Sequence, residues 1–312
     1  MGNHSYFEAF HILAFSNTSV NHILLFFIFF LIYCSAVVGN VILIILVLAD
    51  SRLHTPMYIL LSNLSSLDVG FTTVTIPKLM DILLTGYHSI SYRSCLTQLY
   101  FFVFFGSTEA LILSSMAYDR YVAICHPLQY QAIMSGKKYS LIVGGPWIMG
   151  SVNSLFVTLL ASKLSFCGTH NIDAFFCNVK ALSKISCNSS GFQTIIYIDT
   201  FIIGLFQLML IFISYIKIVI VTLGIRSSGA RMKLFSTCSS HLTTLIIFYG
   251  SVLCMYARPP SQHRDNLDNV FSVVYSAITP MLNPLVYSLR NNDVTSALES
   301  SLKKIKKKVY EN

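Results

Sequence analysis

Charge is what this chain has least of. Only 11% of its 312 residues are Asp, Glu, Lys or Arg, against 54% hydrophobic and 13% aromatic. A soluble domain carries about a quarter charged residues to cover its surface, so a water-soluble globule of this length is excluded. Basic residues are missing ahead of the first apolar stretch: the leading 21 residues contain no Lys or Arg. A secretory signal needs a basic start and a shorter apolar core, so that stretch reads as a retained span. Enzyme signatures are missing too. No His-Glu-x-x-His and no Gly-x-Ser-x-Gly occurs in the apolar segments, which argues against an intramembrane enzyme. Nucleic-acid binding is not implied by the net charge of +8, for the reason given next.

The apolar residues come in seven continuous blocks, near His22–Leu48, Pro56–Leu84, Cys95–Cys125, Tyr139–Leu160, Ile195–Gly224, Leu234–Ala257 and Leu267–Leu289. Each can cross a hydrocarbon layer of about 30 Å, which takes roughly 20 helical residues. Spanning segments that are continuous and not alternating are helices. The expected fold is therefore an all-α, seven-helix membrane bundle over 22–290, with an N-terminal segment 1–21 and a basic tail 291–312. Fourteen of the 21 lysines and arginines fall on one side, five of them in the tail at Lys303–Lys308. The positive side faces the cytoplasm, so the amino terminus is extracellular and the basic excess lies on the inner face. The tail opens with Leu298, Leu302 and Ile305 set against lysines, an amphipathic pattern suited to anionic membrane lipid. Block two carries Asn63, Ser65, Ser66 and Asp68, so much of its surface should face protein. The odd number of blocks and the lack of an internal repeat count against a duplicated transporter.

On this topology Cys95, Cys167, Cys177 and Cys187 lie outside, where bridges form. Four cysteines allow three pairings, and a metal site with His170 is a further reading. Three sequons, at Asn3, Asn17 and Asn188, lie outside and are expected glycosylation sites. A fourth, Asn63-Leu64-Ser65, lies within a span.

The residues with most meaning are Met116–Tyr130, MAYDRYVAICHPLQY. An Asp-Arg pair closing a span is costly to desolvate and marks function. Around it stand Gly39-Asn40, the LHTPMY run Leu53–Tyr58, Leu64–Asp68, Trp147, Ser214-Tyr215, KLFSTCSSHL at Lys233–Leu242 and PMLNPLVYSLRN at Pro280–Asn291. Taken in this order, the set resembles the olfactory (odorant) receptor family of rhodopsin-like G-protein-coupled receptors. Two positions depart from the family's pattern: Leu234 replaces the usual Ala, and Gln207 stands where many members have Pro, which bears on the local shape of span five.

The resemblance implies a multi-pass plasma-membrane receptor that binds a small, volatile odorant. It activates a heterotrimeric G protein of the stimulatory olfactory type, raising cyclic AMP. It also selects the pairings Cys95–Cys177 and Cys167–Cys187. Asp119, Arg120, Tyr121, Tyr215, Asn283, Pro284 and Tyr287 are the implied coupling residues. Asp119 can hold and release the Arg120 guanidinium, Tyr215 and Tyr287 offer hydroxyls to it or to a water once the helices shift, and Pro284 permits a hinge. Asp68 and Glu109 are two buried acids at mid-depth, beside Asn40 and Asn283. In related receptors a sodium ion sits near the Asp68 position; a hydrogen-bonded network without an ion is the other reading. No other cofactor is implied.

The ligand pocket is expected in the outer half. Helical spacing puts Phe102, Val103, Gly106 and Ser107 on one face of span three. Span five offers Asp199 and Ile203, span six Tyr249, Val252, Met255 and Tyr256, and span seven Val273 and Ser276. Asp199 has three readings: solvation, pairing with Lys180 or Lys184, or ligand contact. Alternative functions are a non-olfactory rhodopsin-like receptor for an amine or peptide, against which the LHTPMY and KLFSTCSSHL segments argue, and a membrane transporter or channel.

Overall fold

The computed structural model describes residues 9–13, 21–167, 170–256, 270–290 and 292–311; the sequons at Asn3 and Asn17 lie outside them. Seven long helices follow in order: α1 His22–Ala49, α2 Pro56–Thr85, α3 Tyr92–Cys125, α4 Gly136–Ala161, α5 Ser189–Leu223, α6 Ser228–Tyr256 and α7, the span Val270–Ser288. An eighth, α8, runs Asn292–Glu311. Among the described residues six helices are long and apolar enough to cross a membrane. The remaining one, α6, contains the apolar stretch Cys238–Cys254. Helix starts follow local chemistry. Asn21 Oδ1 accepts from Ile23 N at 2.9 Å to cap α1, Ser91 Oγ accepts from Ser94 N at 3.1 Å to cap α3, and Pro56 opens α2, where its missing N–H costs nothing.

Burial separates the helices by role. In its most apolar window α2 is 56% buried and α3 50%, whereas α1, α4 and α5 are 22–28% buried. The outer helices expose Leu31, Leu141 and Ile220, the surface that hydrocarbon solvates. Polar side chains on α2 turn inward as expected: Ser65, Asp68, Thr72 and Thr75 are buried. Asn63 accepts from Trp147 Nε1 at 2.9 Å, tying α2 to α4, so this sequon is spent on packing. The α3–α4 seam is polar. Tyr100 Oη meets Ser151 Oγ at 3.0 Å, and Ser154 Oγ bonds the Tyr100 carbonyl. It is also close: a Cβ added at Gly150 would overlap Thr108, whose backbone N lies 3.2 Å from that point.

The outer end is closed by structure that the apolar pattern did not disclose. Strands β1 Ala9–Ile12, β2 Ser89–Ser91 and β3 Asn171–Ile172 form a sheet in the order β2-β1-β3. Strand β1 runs antiparallel to β2, with Phe10 opposite Ile90, and parallel to β3, with Ile12 opposite Ile172. Phe10 and Ile12 are fully buried beneath it. Part of the N-terminal segment is thus an integral strand. The pairings implied by the family resemblance are both present. Cys95–Cys177 has Cα atoms 5.4 Å apart, and Cys167–Cys187 5.5 Å. Next to the first, Cys177 N donates to Gln98 Oε1 at 2.9 Å while Gln98 Nε2 donates to the Val74 carbonyl at 2.8 Å. Asn188 is exposed at the start of α5.

At the inner end α8 packs back on the bundle. Tyr58 Oη donates to Asp293 Oδ2 at 2.7 Å and Thr295 Oγ1 to the Ser288 carbonyl at 2.6 Å. The buried residues are Val294 and Ala297, with Leu298 partly buried. Leu302 is exposed; the Ile305 side chain is outside the described residues.

Cys95→Ser or Cys177→Ser should prevent delivery to the cell surface, read by labelling of intact cells, because losing such a bridge costs about 2–5 kcal/mol in small domains. Gly150→Ala should destabilise the bundle by about 1–3 kcal/mol through overpacking. A thermal melt of detergent-solubilised protein measures it, and adding Thr108→Ala should restore part of the loss.

Candidate functional site: an outer cavity and an inner charge cluster

A cavity of about 160 Å³ lies in the outer half of the bundle, among α3, α4, α5, α6 and α7. Phe102, Val103, Gly106 and Ser107 line it from α3, Asp199 and Ile203 from α5, and Tyr249 and Val252 from α6. The side chains of Met255 and Tyr256 lie outside the described residues. On α7 the wall is Tyr275; Val273 and Ser276 are not part of it. Ser276 is fully buried and donates to the Ser272 carbonyl at 2.7 Å. The cause of this difference is a π-helical turn, Val274–Ile278. Pro280 has no N–H and its ring would press on the carbonyl four residues back, and a wide turn relieves both. The turn adds one residue, so spacing taken at 3.6 residues per turn points the wrong side chains inward. Tyr275 reaches over Gly106: a Cβ there would lie 2.6 Å from the tyrosine hydroxyl. Phe102 meets Phe71 at 5.0 Å between centroids and Phe176 at 4.6 Å. The cavity roof is therefore the loop segment bridged to α3.

The α4 and α5 side of the cavity is polar, and sequence reasoning found only Asp199 there. Asn153 and Gln207 also line it. An amide oxygen cannot face a carboxylate, so the Asn153 nitrogen must. In that orientation it donates to both Asp199 oxygens at 3.2 Å and its oxygen accepts from Ser107 Oγ at 3.0 Å. The chain Ser107–Asn153–Asp199 thus links α3, α4 and α5. Among the described ion pairs none includes Asp199, and it sits half-buried on the cavity wall. Gln207, buried within α5, accepts from Tyr249 Oη at 3.3 Å. With no proline there, α5 runs unbroken from Ser189 to Leu223. A lone Asn or Gln in a span carries the general signal of a polar group that needs a partner; it does not say which partner.

Below the cavity lies a second polar layer. Asp68 accepts from Asn283 Nδ2 at 3.0 and 3.2 Å. Asn40 Nδ2 donates to the carbonyls of Ala36 and Pro280, both at 2.9 Å. Glu109 is 1% exposed, and its Oε1 has no hydrogen-bond partner; neither has Asn283 Oδ1. Among the described residues, no three His, Cys, Asp or Glu side chains gather as a metal-binding group.

At the inner end of α3, Asp119 is buried and stands 3.7 Å from Arg120 Nε. Its other oxygen accepts from Tyr130 Oη at 2.7 Å. Burial first, then the neighbouring Asp119 carboxylate, holds the Tyr130 phenol well above its usual pKa, so it stays a donor. Tyr215 Oη lies 2.7 Å from His241 Nδ1, and the buried Tyr287 hydroxyl has no hydrogen-bond partner; the contact with Arg120 is expected only after the helices shift. Tyr121 turns away from the acid, with its hydroxyl 3.1 Å from His126 Nε2 and Lys217 Nζ 5.1 Å from its ring centroid.

Comparison with known proteins places this geometry. The family model for the olfactory receptor matches residues 29–305. The chain is 44% identical over 287 residues to human olfactory receptor 1L6, covering 92% of this chain and 82% of that one. It is also 44% identical over 280 residues to mouse olfactory receptor 1E16, covering 89% of each. Among solved structures, squid rhodopsin superposes with a TM-score of 0.73 at 16% identity, over 93% of this chain and 88% of the other, a likeness of fold. With the olfactory-receptor model matched across almost all of the bundle and relatives this similar over nearly their full length, the chain belongs to the olfactory receptor family.

Proposed function

We propose that this chain is an odorant receptor of the plasma membrane, that a small molecule in the outer cavity is its ligand, and that its inner face activates a stimulatory heterotrimeric G protein. The observation that carries the reading is that one helix serves both ends. The outer half of α3 supplies Phe102, Val103, Gly106 and Ser107 to the cavity, and its inner end supplies Asp119 and Arg120. A ligand shifts a receptor's populations only through a difference in affinity between two packings. Helices α5 and α6 meet the ligand at Ile203, Tyr249 and Val252 and meet each other at Tyr215 and His241. Outward movement of α6 would part that pair and free the Tyr215 hydroxyl for Arg120. Tyr287, buried and without a hydrogen bond, is a second acceptor for the guanidinium in the same rearrangement. Asn283 and Pro284 sit where α7 would bend.

Arg120→Ala should abolish ligand-driven cyclic AMP while leaving surface expression largely intact. Full signalling at a normal surface level would overturn the reading. Tyr215→Phe should reduce the maximal response, since it removes the hydroxyl that movement of α6 would free for Arg120, along with its hydrogen bond to His241.

The two mid-depth acids support a sodium site as part of this reading. Glu109 Oε1 and Asn283 Oδ1 are buried acceptors without donors, and Asp68 holds its oxygens beside them. A cation satisfies such a set; a proton shared by the two acids is the other solution. Bound there, the ion would hold α2, α3 and α7 together. Ligand potency in membranes should then fall as sodium replaces potassium, and Asp68→Asn should flatten that dependence. A wild type insensitive to sodium would leave the shared proton.

A further inference from the structure

We infer that the outer cavity selects compact organic amines: a primary or secondary alkylammonium on a hydrocarbon body of roughly six to eight heavy atoms. This rests on the cavity being the ligand site. Size sets the body. A cavity of ~150 Å³ lined by aliphatic and aromatic groups takes up benzene, and this one measures about 160 Å³. Its α3, α6 and α7 walls are apolar, with Phe102, Val103, Val252 and Tyr275. They would hold a ring or branched chain by exclusion of water alone.

The opposite wall sets the head group. Asp199 is half-buried there, its direction fixed by Asn153 and, through it, by Ser107. An amide donor orients a carboxylate but leaves its charge uncompensated. Among the described lining residues there is no Lys, Arg or His to supply the opposite charge, and no described ion pair reaches Asp199. The nearby Tyr249–Gln207 pair is neutral. An ammonium supplies both the missing charge and N–H donors, and charge-assisted hydrogen bonds are the stronger kind. An alcohol supplies one donor and no charge. An ester supplies only acceptors, and a carboxylic acid brings like charge. Asp199 lies on α5, the helix whose inner end carries Tyr215, so an ammonium drawn to it acts on an element of the coupling path.

The test uses the full chain in cells, with a cyclic AMP reporter and surface label, and matched probes: cyclohexylamine, cyclohexanol, cyclohexanecarboxylic acid and methylcyclohexane. The amine should be more potent than the alcohol by about tenfold or more, and the acid should be inactive. Asp199→Asn should bring the amine down to the alcohol's potency, Asp199→Glu should keep part of the margin, and Asn153→Ala should weaken the amine more than the alcohol. The proposal is overturned if the alcohol or acid equals the amine in the wild type. It also falls if the margin survives Asp199→Asn, or if no amine acts at a normal surface level. Ile203→Trp separates this from failure of the site itself. If it removes responses to the neutral probes and no amine margin exists, the cavity stands and only the amine class falls. If amine responses survive a filled cavity, the cavity is not the ligand site and both readings fall.

Discussion

Hydrocarbon offers no partner to a polar group, and a group left unpaired there costs several kcal/mol. Backbone groups escape by forming helices. Side chains escape only by finding each other, and the pairs they make decide how the helices sit. Asn63 with Trp147 joins α2 to α4, Asp68 with Asn283 joins α2 to α7, and Asn40 with the Pro280 carbonyl joins α1 to α7. Ser107, Asn153 and Asp199 join α3, α4 and α5. Apolar packing fills the space between these contacts, but it cannot by itself tell one helix rotation from another when lipid is as apolar as leucine.

Layers follow from this. The outermost is a small sheet and two bridges, where water and an oxidising exterior make strands and disulfides affordable. Beneath it lies a cavity with one polar wall. A sheet of acids and amides comes next, and the Asp119–Arg120–Tyr130 cluster closes the inner end. Among the described residues, α3 contributes to every layer below the sheet. Movement at either end therefore passes buried groups with unused hydrogen-bonding capacity, Glu109 and Tyr287 among them.

The spans were legible because hydrophobicity over about 20 residues is a strong signal, and helix starts at His22 and Pro56 coincide with the apolar blocks. Side-chain direction was legible on α3, where spacing placed Phe102, Val103, Gly106 and Ser107 together. It failed on α7, because one extra residue in the turn at Val274–Ile278 rotates everything before it relative to the Asn283-Pro284 anchor. Asn153 and Gln207 were missed as cavity residues for a different reason. Their meaning depends on what faces them from another helix, and no period within one helix carries that. The strand Ala9–Ile12 was hidden because its partners are distant in sequence, His11 pairing with Ser89 and Asn171, and only two or three residues long. The polar inner end of α6 was visible in composition, yet the Tyr215–His241 pair was not.

The engagement of Asn63 with Trp147 has a consequence for biogenesis. This asparagine carries a sequence that the glycosylation machinery reads, yet in the folded bundle its side chain is committed to the indole and to the Ile59 carbonyl at 2.8 Å, within the membrane. An oligosaccharide can be attached only if the segment reaches the lumen during synthesis. A molecule bearing sugar at Asn63 has therefore inserted its second helix wrongly and can no longer seat the only tryptophan of the chain. The folded arrangement makes that position a built-in record of insertion errors, legible as a mass increment on molecules held back from the surface.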